Sequence, residues 1–410
     1  MTVKFAKRVD ALKASEIREI LKLTQAKDMI SFAGGLPAPE AFPVEEMKRI
    51  SQKVLSEQGP IALQYSTTEG YEPLRRKIAE RMNGKFQTQV GSENVLITCG
   101  SQQALDFSGK LFLDEGDVVL CESPTYLAAI SAFKAYEPRF IAIPTDGEGM
   151  ILAELEKVLA TESRVKLIYV IPDFQNPTGN SWSLDRRRGF MEMIQRYQVP
   201  VLEDNPYGEL RFEKEIIPAL KSFDQNGLVI YTSTFSKTFC PGLRIGWLAA
   251  STEIFAKYVL LKQGADLCTS LRSQMEIFEY MESFDFAENV NKLIQLYRRR
   301  RDVMLETLEK TLPEGVGFTR PAGGLFLWLN LPQQIKAAEL LKICLEKKVA
   351  FIPGNSFFPN GGGENMLRLN YSNMAETKIR EGIERLAEAI KQYMELSESE
   401  ALTFSCKGRN

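Results

Sequence analysis

Short apolar runs rich in β-branched residues recur at positions 95–98, 118–121, 140–143, 167–171, 201–203, 228–232 and 245–249. Stretches long enough for a helix separate most of them, among them 102–112, 126–135 and 184–197. Runs that are apolar throughout suit strands buried on both faces, and intervening helices let successive strands lie parallel. The rhythm predicts an α/β fold whose large domain, residues 45–290, holds a mainly parallel seven-stranded sheet flanked by helices. Between Phe239 and Ile245 there is no room for a crossover helix, so the strand at 245 is expected to run antiparallel to its neighbours.

From residue 286 the pattern changes to a long charged amphipathic helix ending near 312. A second α/β set follows: a strand at 324–329, a helix at 337–347, strands at 349–352 and 366–371, and a final helix at 375–396. With the N-terminal segment these form an expected smaller domain, residues 1–44 and 291–410, in which the polar, aperiodic stretch from 397 reads as a loose tail.

Composition narrows the function. The formal net charge is −2 and the arginine run at 298–301 is the main basic block, so nucleic acid is not an expected partner. That run falls in the long helix and reads as a solvated face or an interdomain contact. Nowhere do eighteen apolar residues run together, and residues 1–20 lack an unbroken apolar core, so neither a membrane span nor a secretory leader is expected. Six cysteines without a Cys-x-x-Cys spacing argue against a disulfide framework or a metal site, and point to a reducing cytoplasm. With no histidine in the chain, Ser-His-Asp hydrolysis and Cys-His proteolysis are excluded. Acid–base work near neutral pH falls to lysine, tyrosine, cysteine or a carboxylate.

In open parallel sheets ligands sit at the carboxyl ends of the strands. After the first run comes Gly100-Ser101-Gln102, a glycine turn opening a helix, which suits an anion or serves as a plain helix cap. After the second comes Ser123-Pro124-Thr125-Tyr126, whose tyrosine can lie against a flat ligand or fill the core behind a turn. The fourth leads into Pro172-Asp173-Phe174-Gln175-Asn176-Pro177-Thr178-Gly179, a punctuated loop presenting the Asn176 amide. The fifth leads into Asp204-Asn205-Pro206-Tyr207, which puts a carboxylate and a phenol at the end of a central strand. A buried carboxylate needs a cationic partner or several donors, and a protonated ring nitrogen would provide one. The sixth leads into Thr234-Phe235-Ser236-Lys237-Thr238, with Arg244 seven residues beyond the lysine. Alone, Lys237 reads as an exposed lysine in a hydroxyl-rich turn; with these companions it can hold an aldehyde while Thr234, Ser236 and Arg244 hold a phosphate.

In this order the motifs resemble the class I/II aminotransferases of fold-type I, and most closely their 2-aminoadipate/kynurenine branch, which is related to the effector domains of MocR-type regulators. The likeness runs from about Ser15 to Met394. It implies pyridoxal 5'-phosphate as cofactor, with Lys237 as its Schiff-base lysine and proton shuttle. Asp204 would partner the ring nitrogen, Asn176 and Tyr207 the phenolic oxygen, and Tyr126 would stack on the ring. Ser101, Gln102, Thr234, Ser236 and Arg244 would cup the phosphate. Tyr65, in Leu63-Gln64-Tyr65-Ser66, resembles the tyrosine that reaches a neighbouring subunit's phosphate, which implies a homodimer with shared sites. Arg368 would grip the substrate α-carboxylate, with Asn176, with Gly35 of the loop Ser31-Phe32-Ala33-Gly34-Gly35-Leu36-Pro37, and with Arg18 nearby. The implied reaction is ping-pong transfer of an amino group between an L-amino acid (2-aminoadipate, glutamate, aromatic or branched-chain) and a 2-oxo acid such as 2-oxoglutarate.

Two other readings stay open on the same residues. A pyridoxal-phosphate lyase, decarboxylase or synthase would use the same scaffold, and a non-catalytic effector-binding module would bind the cofactor without turnover. Arg18, in Ser15-Glu16-Ile17-Arg18-Glu19-Ile20, either meets a distal substrate carboxylate or pairs with glutamate on its own helix. If it meets the substrate, Arg18→Ala weakens kcat/KM for glutamate and 2-aminoadipate about tenfold or more while sparing leucine and phenylalanine. Equal losses on all four substrates would place the arginine on the surface.

Overall fold

The computed structural model describes residues 3–10 and 28–407. Arg18 and the helix start at 15–20 lie outside the described residues. Along the chain run β1 (Ile30–Ser31), α1 (Val44–Ala62), α2 (Glu72–Phe86), β2 (Val95–Thr98), α3 (Ser101–Phe112), β3 (Val118–Ser123) and α4 (Leu127–Lys134). Next come β4 (Arg139–Asp146), β5 (Gly149–Met150), α5 (Leu152–Thr161), β6 (Val165–Val170), α6 (Leu184–Tyr197), β7 (Val201–Asp204), β8 (Val229–Thr234) and β9 (Gly246–Ala249). The remainder comprises α7 (Thr252–Ala265), α8 (Leu271–Ser283), α9 (Phe286–Thr311), β10 (Gly317–Phe318), β11 (Phe326–Asn330) and α10 (Ala337–Glu346). It ends with β12 (Val349–Ala350), β13 (Ile352–Pro353), β14 (Met366–Asn370) and α11 (Glu376–Lys407).

The large sheet has the order β2-β9-β8-β7-β6-β3-β4-β5. Strands β8, β7, β6, β3 and β4 pair in parallel, while β9 is antiparallel to both β2 and β8, as the short gap before it requires. The eighth strand, β5, is two residues long and folds back antiparallel on β4, too brief to register as an apolar run. Because β9 is the reversed strand, the carboxyl ends of β2, β3, β6, β7 and β8 share one edge.

Side chains alternate across the sheet and bury against helices on both faces. Leu167, Tyr169, Ile171 and Leu202 pack with Phe107 and Phe133 of α3 and α4 and with Tyr258 of α7. Ile168, Val170 and Val201 pack with Leu155 of α5 and Phe190 and Ile194 of α6. Leu184 opens α6 behind Ser183, whose hydroxyl accepts from the Arg186 backbone N–H.

The C-terminal part differs from its sequence reading in three places. A continuous strand was expected at 349–352, but the chain changes sheets within it: β12 pairs in parallel with β1, and β13 joins the antiparallel sheet β10-β11-β14-β13. The strand expected from 324 starts at Phe326, since Gly324 has φ of 73° and belongs to the preceding turn. The last helix continues to Lys407, beyond 396 where its apolar pattern fades. The proposed domain boundary at 290/291 falls within α9, a single 26-residue helix. The arginine run on that helix is partly buried as a contact between segments. Arg300 reaches the Ser372 carbonyl at 2.5 Å and pairs with Glu40, while Arg301 donates to the Pro321 carbonyl and to Glu213, each at 2.7 Å.

The loops at the strand ends are tied by buried polar groups. Asp173, 1% exposed, takes two N–H groups from Arg187 (2.7 and 3.1 Å), one from Arg211 (3.0 Å) and one from the Asn205 amide (3.3 Å). The Gln175 amide donates to the Pro124 carbonyl at 2.6 Å, joining the loops after β6 and β3. Removing one member of a buried ion pair strands its partner and typically costs about 3–5 kcal/mol. Asp173→Ala is therefore expected to lower unfolding free energy by about that amount in a denaturant titration. A change below about 1 kcal/mol, the level of a surface ion pair, would show that the cluster is solvated in solution.

Candidate active site

At the shared strand edge lies a cavity of about 300 Å³ lined by Ser101, Gln102, Tyr126, Asn176, Asp204, Tyr207, Thr234, Ser236, Lys237 and Arg244. These are the residues that the strand-end motifs single out. Ile171, Pro206 and Pro241 complete its wall.

One end of the cavity suits an anion. Ser101 begins α3, whose free backbone N–H groups and dipole favour negative charge. Gly100 before it has φ of 70°, and a β-carbon there would lie 2.5 Å from Nη2 of Arg244, so the guanidinium packs directly on this turn. Gly246 lets β9 approach, because its β-carbon would meet the Ser101 nitrogen at 2.7 Å. Arg244 follows a short helical turn with a left-handed backbone, φ 57°. The Thr234 hydroxyl accepts from the Ser236 backbone N–H at 3.1 Å and lies within donating distance of the Ile245 carbonyl (3.1 Å) and the Ser236 hydroxyl (2.9 Å). With one proton to give, Thr234 braces Ser236 in this arrangement.

The other end is built for charge that needs a partner. Three buried carboxyls lie on the large sheet, Glu122 on β3 and Glu203 and Asp204 on β7, and burial pushes each up to about 7. Glu122 accepts from the Trp182 indole (2.8 Å) and the Ile171 N–H (2.9 Å), one per oxygen. Glu203 accepts from the N–H groups of Leu220 and Lys221, again one per oxygen (2.8 and 2.9 Å). Asp204 differs. Its Oδ2 accepts from the Tyr169 hydroxyl at 2.8 Å, but its buried Oδ1 has no hydrogen-bond partner. An unpartnered buried oxygen is costly, and a ligand cation or N–H would remove that cost.

Lys237 stands half-buried between cations. Burial first, then the positive charges of Arg368 and Arg244, lower its amine to about 8, with Asp204 opposing them. Its Nζ donates to the Gly35 carbonyl at 2.8 Å, which brings the N-terminal loop to the lysine. Arg368 on β14 is 2% exposed and joins through Asn176: it donates to the Asn176 Oδ1 at 2.7 Å and to the Ala33 carbonyl at 2.6 Å. Its guanidinium carbon lies over Phe326, 4.2 Å from the ring centre, and its Nε has no partner. Burial lowers it to about 10. Tyr207, 4% exposed, is pushed up by burial, and Tyr126 is pushed up to about 12 by burial and then by Asp204.

The structure thus gathers Lys237, Asp204, Asn176, Tyr207, Tyr126 and Arg244 around one space, with Ser101, Thr234 and Ser236 at its anion end, and ties Arg368 to it through Asn176 and Gly35 through Lys237. Tyr65 lies elsewhere, 78% exposed. Tyr169 and Asp173 escaped the sequence reading. Tyr169 sits inside an apolar run where its hydroxyl has no local signal, although its place on the same face as Asp204 follows from the alternation of the two strands.

The family model for aminotransferase class I and II matches residues 14–386. Aromatic-amino-acid aminotransferase 1 of Thermococcus litoralis is 45% identical over 95% of this chain and 94% of its own length. Among solved structures, the alpha-aminoadipate aminotransferase of Thermus thermophilus, complexed with N-(5'-phosphopyridoxyl)-L-leucine, aligns with a TM-score of 0.90 and 44% identity. That alignment covers 96% of this chain and 98% of the other. The kynurenine aminotransferase of Pyrococcus horikoshii, in complex with PMP and KYN as substrates and KYA as products, aligns with a TM-score of 0.91 and 42% identity over 95% and 97% of the two chains.

Neighbouring cations disfavour a protonated amine, so removing one raises its pKa. Labelling of Lys237 by an acylating reagent, followed by mass spectrometry in the cofactor-free protein, is expected to rise with a midpoint near 8. In Arg368→Gln the midpoint moves up, toward the ordinary 10.5. An unmoved midpoint would mean that Arg368 does not act on the amine.

Proposed function

The chain belongs to the class I and II aminotransferases and is a transaminase that uses pyridoxal 5'-phosphate, and we propose that it moves the amino group between 2-aminoadipate, glutamate, aromatic or branched-chain L-amino acids and 2-oxoglutarate. One observation carries the site assignment: a lysine amine lowered to about 8 shares a cavity with a buried aspartate whose Oδ1 is unpartnered. That donor set fits the cofactor, with an anion cradle at one end and a carboxylate for a ring nitrogen at the other. When bound, pyridoxal 5'-phosphate supplies an aldehyde for the amino group and a ring that takes up the electrons left at the substrate Cα.

The residues divide the remaining work. Ser101, Gln102, Ser236 and Arg244, with Thr234 behind them, hold the phosphate. Tyr126 packs on the ring, Asn176 and Tyr207 donate to its phenolic oxygen, and Asp204 holds a positive charge at its nitrogen. Arg368 takes the substrate α-carboxylate with the edge that carries its unpartnered Nε. Asn176, already bonded to that arginine, sets the distance between carboxylate and ring, and Gly35 closes the same side. Lys237 moves the proton at the substrate Cα through Nζ, and near-neutral tuning keeps a useful share of the amine unprotonated there.

The aromatic and 2-aminoadipate parts of this range rest on two relatives named for those substrates. Arg18 would select distal carboxylates. A homodimer with Tyr65 reaching the partner's phosphate accords with the exposure of Ile61, Leu63 and Tyr65 around the end of α1. A reducing cytoplasm accords with Cys99, Cys121, Cys240, Cys268 and Cys344 being free. No helix among the described residues is long and apolar enough to cross a membrane.

A half-reaction screen tests the reading. Mixed singly with amino acids, the loaded protein is expected to change its cofactor spectrum with the donors named above, and with 2-oxoglutarate added to form glutamate. Release of ammonia or carbon dioxide instead would replace transamination by a lyase or decarboxylase. Lys237→Ala is expected to abolish turnover, and turnover that persists would remove the lysine from its role.

A further inference from the structure

Tyr169 lies in the middle of β6, 1% exposed, in register with Leu202 of β7. Two residues farther along β7, on the same face, is Asp204. The tyrosine ring is set edge-on against Phe133, centres 5.8 Å apart at 76°, and its hydroxyl reaches Oδ2 of Asp204 at 2.8 Å. A buried tyrosine needs an acceptor, and any carbonyl would serve that need. Here the acceptor is instead a carboxylate whose second oxygen is buried with no hydrogen-bond partner and whose side chain lines the cavity.

We propose that Tyr169 is a positioning residue for the cofactor: by donating its proton to Oδ2 of Asp204 it leaves Oδ1 as the oxygen that meets the ring nitrogen, and keeps that oxygen a weak enough base for the nitrogen to retain its proton. The inference rests on Asp204 being the partner of the ring nitrogen. Burial and the adjacent Asp204 hold the phenol well above its ordinary pKa, so it stays a donor. A donor on one carboxylate oxygen withdraws charge from the other, and a hydrogen bond to the charged form favours that form. Without Tyr169 the carboxyl would be more basic and free to turn, and the shared proton would shift from nitrogen toward oxygen. No step beyond this sharing of one proton is involved.

The test uses the full-length chain stripped of cofactor and reloaded, with two ligands: pyridoxal 5'-phosphate, and its analogue in which a C–H replaces the ring nitrogen. Tyr169→Phe is expected to weaken the first by about tenfold and leave the second within about twofold. In the same variant the ¹⁵N resonance of ring-labelled cofactor moves toward that of a neutral pyridine. Equal weakening of both ligands, no weakening of either, or an unmoved resonance would make Tyr169 a packing residue and overturn the proposal. Should Tyr169→Phe fail to fold, replacing Tyr169 by 3-fluorotyrosine keeps the shape and strengthens the donor, and the resonance then moves the opposite way; a stationary resonance overturns the proposal there too. Asp204→Asn isolates the underlying reading: a loss confined to the nitrogen-bearing ligand upholds it, whereas equal loss of both ligands removes Asp204 from the ring nitrogen regardless of what Tyr169 does.

Discussion

Charge buried around Asp173 holds the strand-end loops in place. Two arginines and an amide converge on this carboxylate from α6, from the segment after Tyr207 and from the turn after Asp204. Each loop that contributes to the cavity is short of regular structure, and a loop with free backbone groups keeps a geometry only if something fixes it. The arginine forks do so, because their planar donors match the carboxylate in direction as well as charge. Asn176 and Asp204 sit within a few residues of that knot, so their amide and carboxylate inherit its rigidity.

The cavity itself is kept in an unrelieved electrostatic state. Arg368 and Arg244 depress the lysine, burial raises the aspartate, and neither Asp204 Oδ1 nor Arg368 Nε finds a partner inside the protein. Glu122 and Glu203, on the same sheet and equally buried, have both oxygens occupied. The contrast separates acids satisfied within the fold from the one at the cavity wall that keeps a buried oxygen unpartnered. Such a site gains more from binding than a relaxed one, since a ligand cancels costs that the fold itself imposes.

Much of this was legible in the chain, and for identifiable reasons. Strands buried on both faces write themselves as apolar runs, and the absence of room for a helix before Ile245 dictated the reversed strand. Residues just beyond those runs then had to share an edge. What stayed hidden depends on partners distant in sequence. Asp173 could be read as part of a turn, but Arg187 sits among Arg186 and Arg188 in a helix where nothing local marks the buried one. The switch of sheets within 349–352 depends on β1 arriving from the other end of the chain. Arg18 belongs to a stretch outside the described residues, and only its chemistry speaks for it.

The hydrogen bond from Lys237 to the Gly35 carbonyl has a consequence for the direction of the amine. A neutral amine has two N–H bonds and one lone pair, and with one N–H held, rotation about its last carbon–nitrogen bond is restricted. The directions left to the lone pair are then limited by a residue 202 positions away along the chain. If Lys237 carries the proposed proton, the N-terminal loop limits the directions from which the amine can deliver it, so a shift of that loop would disturb the transfer without moving any wall of the cavity.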